Sequence, residues 1–126
     1  MKICITASGQ GLEASVDERF GRAPFFVIVD TESMQHETIV NPAIDAGQGA
    51  GIAAAQGIAR RGVEALLTGF VGPKAYAALD AAGIRIFDGL SSTMNVRTTL
   101  KQHTDGLLHQ CSSANARKGI PGQGRS

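Results

Sequence analysis

The sequence predicts an α/β domain: a mixed five-stranded sheet with antiparallel first strands, later parallel βαβ units and flanking helices. Two observations lead there. The first part of the chain holds compact apolar runs separated by turns, at Lys2–Ala7, Phe25–Asp30 and, more weakly alternating, residues 35–40. The rest alternates short apolar runs with helical patterns that open and close on glycine or proline. Runs joined by a short turn pair antiparallel, whereas strand–helix–strand units require parallel pairing with a right-handed crossover. A chain of 126 residues that is 43% hydrophobic is long enough for one domain with its own core, and without Trp that core is Ala, Ile, Val and Leu.

Lys2–Ala7 reads as a buried strand. Residues 8–24 form a polar, glycine-containing connection with Val16 and Phe20 as anchors. Phe25–Asp30 is strongly apolar, and Thr31-Glu32-Ser33 turns it into a hairpin with residues 35–40, whose mixed polarity suits a sheet edge. Asn41-Pro42 ends that strand. Residues 49–61 read as a helix, with Ile52, Ala55, Ala59 and Val63 at helical spacing and alanines that allow close packing on the sheet. Arg60 and Arg61 complement the dipole at its end, and Gly62 stops it. Residues 65–68 are the next strand. Pro73 opens a second helix with Ala75, Tyr76, Leu79 and Ala82 on its apolar face, and Gly83 closes it. Residues 84–87 are a strand and Asp88-Gly89 a turn. Ser91, Ser92 or Thr93 caps a third helix that turns Val96 and Leu100 inward and ends near Gly106. The domain spans residues 1–108 in this reading, and residues 109–126 are a flexible polar and basic tail.

The first and fourth strands are expected side by side, with a ligand crevice beyond their C-terminal ends where the strand order switches. That places residues 7–20, 69–74 and 88–93 around one crevice and residues 47–51 at its rim.

Composition narrows the function. The net charge of +1 argues against a general nucleic-acid binder. Residues 111–126 hold three of the twelve basic residues and none of the eleven acids, so what precedes them is slightly acidic. Cys4 sits in a strand pattern as a small hydrophobe, and Cys111 falls in the tail two residues after His109. No CxxC or Cys/His ligand spacing occurs, and a mobile tail offers a metal no fixed geometry. No apolar run approaches the ~20 residues of a membrane span, so the chain reads as cytoplasmic. No Ser/His/Asp or Cys/His nucleophile pair assembles, and His36, His103 and His109 read as surface residues, so the chain reads as a binding protein rather than an enzyme.

Two glycine-punctuated turns run into helix starts: Ala46-Gly47-Gln48-Gly49-Ala50-Gly51 and Thr68-Gly69-Phe70-Val71-Gly72-Pro73-Lys74. Glycine lets backbone approach a ligand, and helix N-termini present unpaired N–H donors at a positive dipole end. Together they outline an anion-holding pocket made mostly of main chain. Each turn taken singly is equally served by geometry alone, as a tight strand–helix connection.

Met1-Lys2-Ile3-Cys4-Ile5, Phe20-Gly21-Arg22-Ala23-Pro24-Phe25-Phe26, Leu67-Thr68-Gly69-Phe70-Val71-Gly72-Pro73-Lys74-Ala75 and Ala82-Gly83-Ile84-Arg85-Ile86 occur in that order. In combination they resemble the dinitrogenase iron–molybdenum cofactor biosynthesis family, over about residues 1–105. The resemblance implies a ribonuclease H-like fold and a carrier of metal–sulfide cofactor precursors. Within the family, the 45–51 and 67–73 stretches are most similar to those of members that hold a molybdenum–copper sulfide cluster non-covalently. Many members carry a histidine in the loop before the first helix. Here that loop is Ala46-Gly47-Gln48-Gly49, which favours the non-covalent mode over direct iron coordination.

A cluster of that kind is a polyanion whose metals are already satisfied by sulfide. It needs N–H donors and positive charge rather than protein ligands. Gly47, Gly49, Gly69 and Gly72 are the candidate backbone positions, and Arg19, Arg22, Lys74, Arg97 and Lys101 the candidate cations, with Arg22 foremost. The plainer reading of Arg22 is an ion pair with Asp17 or Glu18, and that of Arg97 and Lys101 a solvated helix face. Three other functions compete with this one. A two-metal nuclease needs clustered carboxylates, but the first strand has none and Asp17, Asp30, Asp45 and Asp88 are scattered. A nucleotide- or phosphate-binding module lacks both GxGxxG after the first strand and GxxxxGK[ST]. A purely protein-binding adaptor, with the tail serving a partner, is the third, while the carrier reading itself implies a protein partner in cluster delivery.

Overall fold

A computed structural model of the protein describes residues 1–111; of the tail expected over residues 109–126, residues 112–126 lie outside the described residues. The elements are β1 (Lys2–Ala7), β2 (Phe25–Asp30), β3 (His36–Val40), α1 (Ala50–Arg60), β4 (Val63–Leu67), α2 (Pro73–Ala81), β5 (Arg85–Phe87) and α3 (Val96–Thr104). They build one five-stranded sheet in the order β3-β2-β1-β4-β5. β1 pairs antiparallel with β2, and β2 with β3. β1 pairs parallel with β4, and β4 with β5. The first and fourth strands are therefore neighbours, as expected.

Alternation along each strand sends side chains to two separate cores. Cys4, Phe26, Ile28, Leu66 and Ile86 pack with Ala54, Ala55 and Ile58 of α1 and with Ala75 and Leu79 of α2. Ile3, Ile5, Val27, Val29, Ala65 and Leu67 pack with Val96 and Leu100 of α3 and with Val16. Because both faces are covered, β1, β2 and β4 read as continuous apolar runs rather than alternating ones. β3 is the exposed edge, and its polarity follows.

The structure moves several expected details. Val63 belongs to β4 and not to the helix, because Gly62 at φ 78° turns the chain out of α1 first. The buried residues of α1 are Ala50, Ala54, Ala55, Gly57 and Ile58, so of the expected Ile52, Ala55, Ala59 row only Ala55 is fully buried and Ile52 and Ala59 are half-buried. Ala82 is exposed beyond the end of α2. The cap of α3 is Asn95, whose Oδ1 accepts the Thr98 N–H at 2.8 Å. Ser91 instead closes a preceding turn, accepting the Met94 N–H at 3.0 Å through its carbonyl and the Thr93 N–H at 3.2 Å through its hydroxyl.

Residues 109–111 run along the outer edge of β5, where the Asp88 N–H donates to His109 O at 3.2 Å and the Cys111 N–H to Ile86 O at 2.7 Å. That pairing covers an edge which would otherwise present a row of bare N–H and C=O groups. Cys111 is buried there, and its thiol is pushed up to about 12 by burial and by the hydrogen bond and charge of Asp88. Burial likewise pushes the Cys4 thiol up. Among the described residues no helix is long and apolar enough to cross a membrane.

The β2–β3 hairpin places Met34 in the left-handed region at φ 62°, exposed, with its N–H donating to Asp30 O at 2.7 Å. A side chain with a Cβ pays to sit there, and Asn tolerates the conformation better. Met34→Asn is expected to raise stability by ~0.5–1 kcal/mol, measured as a higher urea midpoint at unchanged slope. A lower midpoint would show that Met34 contributes packing that outweighs its strain.

Candidate functional site

The site grows from two helix starts that lack caps. α1 follows Gly49, which sits at φ 77° and has no side-chain capping bond. Gly49 O accepts the Ala53 N–H at 3.0 Å, so the N–H groups of Ala50, Gly51 and Ile52 precede the first intrahelical bond. α2 follows Gly72, also without a side-chain cap, and begins with Pro73, which has no N–H to satisfy. Gly72 O accepts the Tyr76 N–H at 2.9 Å, leaving those of Lys74 and Ala75. Among the described residues, neither start has a side chain that answers these donors.

The two starts are held side by side by contacts that only small residues permit. A Cβ on Gly51 would lie 2.8 Å from Ala75 Cβ, and a Cβ on Gly21 would lie 3.1 Å from Gly51 N. Phe20, just before Gly21, is buried and stacks on Phe26 at a centroid distance of 5.6 Å and an interplanar angle of 4°. Between these parts opens a cavity of ≈ 790 Å³, lined by residues 19–22, 47–52, 70 and 72–75. The lining includes Arg19, Arg22 and Lys74 but no Asp, Glu, His or Cys. Elsewhere among the described residues no group of three or more His, Cys, Asp and Glu is placed to hold a metal ion.

Of the residues singled out in the sequence, Arg19, Arg22, Gly47, Gly49, Gly72 and Lys74 meet at this cavity. Their surroundings differ. The Arg19 guanidinium reaches the nearly buried Asp17 carboxylate at 3.4 Å through Nε and again through Nη2. Arg22 pairs with neither Asp17 nor Glu18; its Nη1 and Nη2 donate to Ala46 O at 3.4 Å and Gly47 O at 3.1 Å. Lys74 is exposed and, among the described residues, has no hydrogen-bond or ion-pair partner. It stands in the first turn of α2, where the dipole opposes a cation, so nothing local to the helix favours its charge.

Gly69, Arg97 and Lys101 lie elsewhere. A Cβ on Gly69 would stand 2.6 Å from Glu18 O and 2.7 Å from Glu18 Cα, so this glycine serves the close crossing of residues 18–20 over the end of β4. That crossing is tied by the Phe70 N–H to Glu18 O at 2.8 Å. Arg97 belongs to α3 on the opposite sheet face, and its Nε donates to Glu13 Oε2 at 2.6 Å. Lys101 pairs with Asp105 at 3.0 Å. The single crevice expected from the topology is thus split. Ser92 opens onto a separate cleft of ≈ 270 Å³ with Ser8, Asp17 and Glu18. Residues 47–51, expected at the rim, form a wall of the main cavity. Sequence reasoning did not single out Gly21, Gln48, Phe70 or the buried Asn41 behind the loop. Gly21, Gln48 and Phe70 each lie inside a stretch that the sequence marks, at residues 20–26, 46–51 and 67–75, whereas Asn41 carries no such signal.

The fold is thus an α/β domain that sets two helix starts without side-chain caps beside a cavity whose lining holds three cations and no carboxylate. Residues 1–106 match the dinitrogenase iron-molybdenum cofactor family, and the chain belongs to it. The structure is similar to the apo form of the orange protein from Desulfovibrio gigas, with a TM-score of 0.84 and 44% identity over 88% of this chain and 92% of that one. It is also similar to the NMR structure of a putative NifB protein from Thermotoga, with a TM-score of 0.75 and 31% identity over 86% of this chain and 91% of that one. An uncharacterized protein of Methanocaldococcus jannaschii is 32% identical over 94 residues, which is 72% of this chain and 78% of that protein.

Gly69→Ala forces a methyl group against backbone that cannot swing aside. It is expected to destabilise the fold by ~1–3 kcal/mol, read from urea denaturation. An unchanged midpoint would mean that residues 18–20 yield freely.

Proposed function

We propose that the protein is a non-catalytic carrier of an anionic metal–sulfide cluster, of the molybdenum–copper or iron–molybdenum type, held without protein–metal bonds. One observation carries this reading: two uncapped helix starts and three cations face one cavity whose lining offers no carboxylate, thiol or imidazole. Metals that enter such a cavity must bring their own ligands. A sulfide-capped polyanion does, and it asks the protein for N–H donors and positive charge. Ile52 and Phe70 add apolar surface, which suits large, weakly hydrated sulfide better than a small hydrated ion.

Membership of the dinitrogenase iron-molybdenum cofactor family supports the metal chemistry, and the likeness to the orange protein supports the carrier role. The strand order with an antiparallel β2 between β3 and β1 supports a ribonuclease H-like assignment. In this reading residues 1–108 are the cluster-holding unit of a cytoplasmic protein, and a second protein donates or accepts the cluster. The cations that answer its charge are Lys74 and Arg19, with donors from the starts of α1 and α2.

The test is an ultraviolet–visible titration of the apo-protein with tetrathiomolybdate and copper at low and high salt. New charge-transfer bands should grow to a stoichiometric end point and stay with the protein through desalting. Affinity should fall with salt, because exposed charges are screened. Changing Arg19 and Lys74 together to alanine is expected to weaken retention by about tenfold or more, equivalent to ~1.4 kcal/mol. Arg97→Ala should leave it at the wild-type value. Bands identical to those of the free reagents, with nothing retained, would overturn the reading.

A further inference from the structure

We infer that Arg22 is a positioning residue: it braces the glycine loop ahead of α1 so that the N–H donors of that helix are set before cargo arrives. The inference rests on the cluster-carrier reading for the identity of the cargo, but the brace itself is a property of the empty protein.

The brace has two ends. The buried end is Asn41, which is 1% exposed. Its Nδ2 donates to Gly21 O at 3.3 Å and Ala23 O at 2.8 Å, and its Oδ1 accepts the Ala43 N–H at 2.8 Å. The Asn41 N–H donates to Pro24 O at 3.0 Å. One buried amide thereby ties the segment around Arg22 to the chain that leaves β3. From Asn41 the chain makes two turns, closed by the Ile44 N–H to Asn41 O at 3.0 Å and the Ala46 N–H to Ala43 O at 2.9 Å.

After Ala46 this scaffold stops. Among the described residues, no backbone hydrogen bond restrains Gly47 or Gln48, and Gly49 sits at φ 77° with nothing near its missing Cβ. The outer end of the brace is the Arg22 guanidinium on the carbonyls of Ala46 and Gly47. Glycine has the most backbone freedom to lose on ordering, so an unbraced Gly47-Gln48-Gly49 would charge that loss to cargo binding. The planar fork of arginine spans two consecutive carbonyls, whereas lysine offers a point charge on a flexible stem. The same contacts turn two of the guanidinium donors away from any anion. The direct counter-charge then falls to Arg19 and above all to Lys74, whose side chain has no partner among the described residues.

The inference separates Arg22→Lys from a simple charge role. Backbone order parameters of residues 47–51 in the apo-protein would be compared for wild type, Arg22→Ala, Arg22→Lys and Lys74→Ala. Cluster affinity would be measured for the same four across a range of salt. Wild type and Lys74→Ala are expected to stay near ~0.85 at residues 47–49, and both Arg22 variants to fall below ~0.6. Both Arg22 variants should lose about tenfold in affinity while keeping the wild-type salt slope, and Lys74→Ala should flatten that slope. Arg22→Lys that binds like wild type, or Arg22→Ala that flattens the slope with order parameters unchanged, would overturn the inference. If wild type takes up no cluster, the carrier reading fails on its own, and the order parameters alone decide whether Arg22 is a brace.

Discussion

The contact between Gly51 and Ala75 is the constraint on which the rest of the site depends. A Cβ at residue 51 would stand 2.8 Å from Ala75 Cβ, so the first turns of α1 and α2 touch without room for anything larger. Two helix starts at that separation put two sets of unpaired N–H groups and two positive dipole ends on one cavity. Such convergence is electrostatically unfavourable while the cavity is empty and becomes favourable when an anion fills it. The fold tolerates it because the cost is met far from the loops, by the apolar packing of α1 and α2 on Cys4, Phe26, Ile28 and Leu66.

The sheet explains why the starts converge there. β1 and β4 are parallel neighbours at the centre of the β3-β2-β1-β4-β5 order. α1 enters β4 and α2 leaves it, and both lie on the same face. Residues 18–20 then cross over the end of β4 because Gly69 has no side chain in their way. That crossing carries Phe20, Gly21 and Arg22 onto the helix starts and separates the main cavity from the smaller cleft around Asp17 and Ser92.

Three cations at the cavity have three different environments. Arg19 leans on Asp17, Arg22 on two carbonyls, and Lys74 on no partner among the described residues. A carrier benefits from such a division. In the proposed carrier role, a loop set before binding would lower the entropy that binding must cover, while the exposed Lys74 would add attraction that salt can screen. Direct metal ligands would hold cargo more tightly, and no such ligand lines this cavity.

The amino-acid pattern by itself determined β1 and β2 to the residue and the helix ends at Gly62, Pro73 and Gly83. Those features are local, since a continuous apolar run, a missing N–H or a positive φ acts within a few residues. It also marked Gly47, Gly49, Gly72, Arg19, Arg22 and Lys74, which the fold brings together. Tertiary structure alone decided which glycine faces the cavity and which faces backbone. Gly49 and Gly69 look alike in sequence, but only the crossing of residues 18–20 makes Gly69 a packing position. It also sent Arg97 to the far face with α3 and gave Asn41 its three partners. Residues 109–111 came to lie on β5 for the same reason. These outcomes depend on which face of the sheet an element covers and on contacts between residues distant in sequence, neither of which leaves a local signature.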